Sequence, residues 1–300
     1  MLAGVSAFGA FAALALSHPA TLLSQGIERS MYVSVVDQTG APAPNLGPAD
    51  FMVREDNVLR EVLRVVPATD PMQIAILIDN STAAAPQVAD IRRALPAFVE
   101  TLTRPTASGR RNEVAIITLG SRPTILADYS IDPAPLNKAI DRVWEESSNT
   151  GQYLLDGIIE VSQGFKKRES ARPVIVAITS EGAELSNRHP DQVLAPLRDS
   201  GAAFHVISMG KPAAAVSDEV RYRDTVVDEG TRVSGTHTQL LVGTALPAKL
   251  QQLANVLTHS YRVTYAHPDS LIPPKRVTVA ARRSDLTAFS SPDRDQQARR

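Results

Sequence analysis

Two apolar runs in this chain end on oxygen-bearing side chains. "IAILI" (74–78) leads into Asp79, Asn80 and Ser81, and "PVIVAIT" (173–179) leads into Ser180 and Glu181. Carboxylate and hydroxyl oxygens gathered at strand ends are the donor set of a hard divalent cation such as Mg²⁺, which takes oxygen ligands in near-octahedral array. The same residues also have a metal-free reading. Asp79 can accept backbone N–H bonds in the turn, and Ser81 can start the following helix.

Catalytic signatures are missing. The sequence holds no H-E-x-x-H, G-x-S-x-G, phosphate-binding or dinucleotide-binding glycine motif. Its six histidines are scattered, and His205 sits inside an apolar run where a core role is expected. A Ser–His–acid set drawn from Ser81 or Ser180 with His189 and Glu181 has no spacing to support it. Cysteine is absent, which removes disulfides, thiolate metal sites and cysteine nucleophiles. The expectation is a protein that is not an enzyme. With 31 basic and 32 acidic residues the net charge is -1, so neither nucleic acid nor an anionic membrane is called for as partner. Trp144, the one tryptophan, precedes the segment "GQYLLDG" and reads either as core or as a flank of a binding face.

The elements that must position these residues alternate. Apolar strand-like runs at 73–79, 113–119, 173–179 and 203–209 are separated by segments with helical apolar spacing at 86–102, 154–165, 190–199 and 218–233. A further strand is expected at "PTILADY", a helix from Pro133 to Trp144 with Asp132 as its N-cap, a strand at "HTQLLV" and a helix over 246–257. This pattern predicts an α/β fold, a doubly wound and mostly parallel sheet that binds ligands outside the carboxyl ends of its strands. Ahead of it, "MYVSVVD", "DFMVR" and "VLREVLRVV" read as three strands of a small β unit. Behind it, "YRVTYA" and "RVTVAARR" read as closing strands that share a sheet with that unit, and 284–300 as a loose polar tail.

Residues 3–16 are almost wholly apolar, and the first charged side chain is Glu28. Small residues at Ala15 and Ser17 suit a signal peptidase, so a secretory signal and a secreted, periplasmic or cell-envelope location are expected. An uncleaved N-terminal anchor is the alternative. The expected organisation is 1–26 signal peptide or anchor, 27–70 small β unit, 71–258 α/β domain, and 259–300 closing strands and tail.

The ordered set of segments resembles a von Willebrand factor type A domain, and within that group the bacterial VWFA-related domain proteins. "VSVVDQTGAPAPNLGPADFMVREDN" is similar to that family's opening segment, with its D-x-x-G turn and D-F-x-V-x-E-D motif. "IAILIDNSTA" follows, and "YRVTYA" with "KRVTVAARR" is similar to the closing segment. The resemblance implies a metal site of the MIDAS type: D-x-S-x-S, a Thr in a second loop and an Asp in a third, with one position open for a partner's acidic side chain. Asp79 and Ser81 match the first two ligands, and Ala83 stands at the second Ser. Gln152 occupies the Thr place in "GQYLLDG", with Thr150 nearby, and Ser180 occupies the Asp place in "TSEG", with Glu181 one residue on.

The resemblance therefore implies a degenerate MIDAS. Asp79, Ser81 and Glu181 are its candidate metal ligands, and any Mg²⁺ binding is expected to be weak. The partner-binding face is expected at Asp79, Asn80, Ser81, Thr150, Gln152, Ser180 and Glu181, holding a protein partner without a required cofactor. An assembly subunit with an idle face is the second expectation, and a hydrolase with an unrecognised site the third.

Overall fold

The structure is a computed structural model that describes residues 27–106, 108–145, 151–212, 217–269, 274 and 276–292. The expected signal segment and Thr150 lie outside the described residues. In chain order the elements are β1 (Ile27–Val36), β2 (Phe51–Glu55), β3 (Val58–Arg60), β4 (Val62–Pro67), β5 (Gln73–Ile78), α1 (Val88–Thr103), β6 (Glu113–Thr118), β7 (Thr124–Ser130), α2 (Pro133–Arg142) and β8 (Gly151–Gln152). They continue with α3 (Leu154–Lys167), β9 (Pro173–Ser180), β10 (Ala183–Glu184), α4 (Pro190–Ser200), β11 (Ala203–Met209), α5 (Asp218–Ser234), β12 (His237–Leu240), α6 (Leu246–Thr258), β13 (Tyr261–His267), β14 (Val277–Ala281) and β15 (Thr287–Pro292).

The central sheet has six strands in the order β12-β11-β9-β5-β6-β7, parallel except for β7 at the edge. Its middle strand shows why the sequence runs apolar without alternation. On β5, Ile74, Ile76 and Ile78 pack with α1, α2 and α6, while Ala75 and Leu77 pack with α3 and α4 on the other face. A strand covered on both sides has no polar face to show. Asp132 caps α2 by accepting from the Ala134 N–H at 3.0 Å, as its position predicts.

The remaining strands make two further sheets, β15-β1-β13-β4 and β14-β2-β3, around a shared core of Met31, Val33, Phe51, Val53, Tyr261 and Val263. The opening and closing segments pair as expected, β1 with β13 and β2 with β14. They do so in two facing sheets rather than one. The reason lies in "VLREVLRVV", expected as one strand. It breaks at Glu61, so that β3 completes a hairpin with β2 while β4 crosses to β13. Asp56 and Asn57, both at positive φ (47° and 69°), make the tight turn of that hairpin, the geometry that suits short polar side chains. The expectation of a loose segment from Ser284 also needs correction over 287–292. Those residues form β15 and close the free edge of β1, with Ala288 against the sandwich core. Among the described residues no helix is long and apolar enough to cross a membrane.

Candidate functional site at the carboxyl ends of the sheet

β5 and β9 are neighbours with Ile78 opposite Ile178, so Asp79 and Ser180 leave the sheet side by side. Asp79 is 1% exposed. Its Oδ1 accepts from the Ser81 N–H at 2.8 Å, and its Oδ2 accepts from the Ser180 N–H at 3.2 Å and from the Ser180 hydroxyl. Three donors thus satisfy the two oxygens of a buried carboxyl group, which would otherwise be costly to bury. Asn80 is a bracket. Its Oδ1 accepts from the Gly120 N–H at 2.6 Å and its Nδ2 donates to the Val143 carbonyl at 2.9 Å, beside Trp144. Trp144 itself is half-buried against the core under the Arg92 guanidinium, 5.2 Å from its ring. Ser81 is buried, and its hydroxyl has no partner among the described residues.

The other loops close over this pair. Ala83 lies on the third loop so tightly that a Cβ at Gly182 would come within 2.5 Å of the Ala83 methyl, so glycine is required there for space. Gln152 is fully buried on β8. Its Nε2 donates to the Ser180 carbonyl at 3.2 Å and its Oε1 accepts from the Thr179 hydroxyl at 2.7 Å. The short pairing of β8 with β10 joins the second and third loops. It places Glu184 at the start of α3, where its carboxyl accepts from the N–H groups of Leu154 at 3.3 Å and Ser186 at 3.1 Å. Burial pushes the Glu184 carboxyl up to about 7 against these hydrogen bonds.

Glu181 does not join Asp79. Its carboxylate accepts from Arg223 Nη2 at 3.2 Å, and Arg223 Nη1 donates to the Gly182 carbonyl at 2.9 Å. The Arg223 side chain is 5% exposed. It lies on α5 along the buried stripe of Val220, Val227 and Gly230. A charged residue on an apolar helix stripe needs a partner, and that spacing is the signal by which Arg223 could have been singled out in the sequence. Among the described residues no hydrogen bond joins His189 to Ser81, Ser180 or Glu181, and the His189 ring packs on Tyr222 at 4.6 Å. His205 is buried in β11 beside the Thr236 hydroxyl at 3.0 Å, and burial lowers its imidazole to about 4.

Of the expected face, the structure brings together Asp79, Asn80, Ser81, Gln152 and Ser180, and turns Glu181 aside. As they stand, these groups do not fit an octahedral oxygen-bound cation. The Ser180 hydroxyl already occupies Asp79, Ala83 offers a methyl, and both ends of the Gln152 amide are engaged. Among the described residues no cluster of three or more His, Asp or Glu is arranged to hold a metal.

Residues 74–183 match the von Willebrand factor type A domain family. This stretch of the chain is a von Willebrand factor type A domain. Such domains commonly bind protein partners. Among solved structures, the proximal thread matrix protein 1 from the mussel byssus is similar with a TM-score of 0.50 and 16% identity, over 67% of this chain and 51% of that one. The chain thus spans about half the length of that relative. A von Willebrand factor type A structure from Catenulispora acidiphila is similar with a TM-score of 0.49 and 10% identity, over 90% of this chain and 74% of that one. The PilB minor pilin from Streptococcus sanguinis is similar with a TM-score of 0.49 and 10% identity, over 64% and 62% of the two chains. At such identities the likeness is one of fold. No curated protein matches the chain by sequence.

Proposed function

We propose that this von Willebrand factor A domain is an exported, non-enzymatic binding module that holds a protein partner through the loops at the strand carboxyl ends, without a bridging metal. The carrying observation is the saturated Asp79 carboxylate, which accepts from Ser81 and twice from Ser180 and presents no open vertex to a partner's acid. Export rests on the apolar run of residues 3–16 and the small residues Ala15 and Ser17, and N-terminal sequencing of chain from a native-like host tests it. The binding reading is tested by affinity capture from cell-envelope extract, with wild type beside a variant carrying Ala85→Arg and Leu185→Asp on two of the loops. The expected partner stays bound in EDTA and is lost with the loop variant. A partner stripped by EDTA, or one indifferent to the loops, would overturn it.

A second reading has its own observation. Among the described residues β4 is paired on one side only, and Leu63 and Val66 on it are 41% and 39% exposed. Beside it a groove of about 370 Å³ is lined by Pro48, Phe51, Leu59 and Val62. An open strand edge with apolar side chains suits assembly with another chain by strand addition. In that case Leu63→Lys with Val66→Lys, and not the loop variant, would abolish capture.

A further inference from the structure

The strand expected at "HTQLLV" ends early. β12 stops at Leu240, and Leu241 and Val242 stand 70% and 61% exposed. Leu241 is the most exposed large apolar side chain among the described residues, Val242 equals Ile125 in second place, and Leu241 and Val242 sit at the same end of the sheet as Asp79. Their neighbours are defined. The Gly210 N–H donates to the Leu240 carbonyl at 2.9 Å. Gly210, at a φ of 106° that favours glycine, is close enough that a Cβ there would lie 3.7 Å from the Glu181 Cβ and 3.9 Å from Gln87. Gly243 lies against the Asp90 carboxylate at the start of α1. The segments 82–87, 210–212 and 240–245 therefore form one continuous patch.

Its chemistry is distinctive. Ala85, Pro86, Pro212, Leu241 and Val242 are all exposed, and across the three segments Lys211 is the one charged residue. The two acids beside it are already paired, Glu181 with Arg223 and Asp90, against Gly243, with Arg93. We infer that this patch is where the partner docks, and that the partner presents an apolar side chain with a carboxylate beside it, the apolar group against Leu241 and Val242 and the carboxylate toward Lys211. Exposed apolar groups of this size contribute most when a partner covers them, and a single rim charge sets orientation more than affinity. The inference rests on the binding reading above and names its partner chemistry. It departs from capture of an acid by a metal, because the acid here answers a lysine at the rim.

The test is selection of a displayed random peptide library on the full chain in EDTA. Enriched peptides are expected to carry a Leu, Ile or Phe next to Asp or Glu. Their affinity is expected to fall by about tenfold or more with Leu241→Asp and Val242→Asp, and by about threefold with Lys211→Glu. Both sites are exposed, and unchanged thermal melting confirms that the variants fold. Peptides that ignore these changes but are lost with Leu185→Asp would overturn the patch and leave the binding reading standing. Peptides indifferent to all of them, or no enrichment, would overturn both. Loss of wild-type self-association in the Leu241→Asp and Val242→Asp variant, seen by sedimentation, would replace the peptide with a second copy of this chain.

Discussion

The Ser180 hydroxyl stands where the family pattern has an aspartate, and it turns a ligand into a donor. Asp79, buried to 1% exposure, has its two oxygens met by that hydroxyl and two N–H groups. Removing the hydroxyl with Ser180→Ala should lower stability by about 1.5–3 kcal/mol, the worth of a hydrogen bond to a charged group. Urea denaturation checks this, and a loss under 0.5 kcal/mol would show that the two N–H groups suffice. Mg²⁺ and Mn²⁺ titrations of wild type should give no heat in the micromolar range. A micromolar constant abolished by Asp79→Ala would mean that Ser180 yields the carboxylate to the cation. At this scale Asp79, Ser81 and Ser180 were legible from their place after apolar runs. The role of Glu181 was not, because its partner Arg223 comes from a helix two strands later.

Between elements, two buried titrating groups act with opposite sign. Glu184 in β10 has its carboxyl raised from 4.5 to about 7, so between those values the folded chain keeps a proton that the unfolded chain has lost. Stability therefore falls as pH rises through that window. His205 in β11 is lowered from 6.5 to about 4, so there the unfolded chain holds the extra proton and stability rises with pH. From pH 4.5 to 6.5 the two slopes oppose, each at most about 1.4 kcal/mol per pH unit. Glu184→Gln removes the titrating proton and keeps one acceptor oxygen, for the N–H of Leu154 or of Ser186 but not for both, so it should lower stability at every pH by about 1 kcal/mol and expose the His205 slope. Its stability should climb more steeply than wild type from pH 4.5 to 6.5. Parallel curves from denaturant melts at each pH would show that Glu184 does not retain its proton on folding.

The whole molecule is joined at the end of the sheet away from the site. Arg172, just before β9 and 6% exposed, donates to the carbonyls of Asp70 at 3.1 Å and Leu257 at 2.9 Å and to the Ser260 hydroxyl. Its guanidinium lies 5.0 Å from the Tyr32 ring of β1, and burial lowers it to about 10. Asp70 and Leu257 flank the two crossings between sandwich and α/β domain, so one side chain ties both. Arg172→Met keeps the apolar bulk and removes the donors. It should cost about 3 kcal/mol and split the unfolding curve into two transitions as the layers uncouple. A single transition at the wild-type midpoint would mean that the packing of β1 on α6 holds the layers without it.

The alternation of apolar runs and helical spacing by itself determined the α/β class, the ends at which Asp79 and Ser180 emerge, and the pairing of the opening and closing strands. The first two are local or periodic, set by burial on one or both faces of each element, and the pairing follows because neither short strand segment can cover its own apolar residues. The tertiary structure alone decided that "VLREVLRVV" divides between two sheets, that 287–292 closes an edge, and that Leu241 and Val242 face solvent instead of extending a strand. It also decided which acid meets which cation. Glu181 and Arg223 find each other only because α5 packs beside the third loop, and no spacing in a linear chain encodes the direction in which a side chain turns once several donors compete for it.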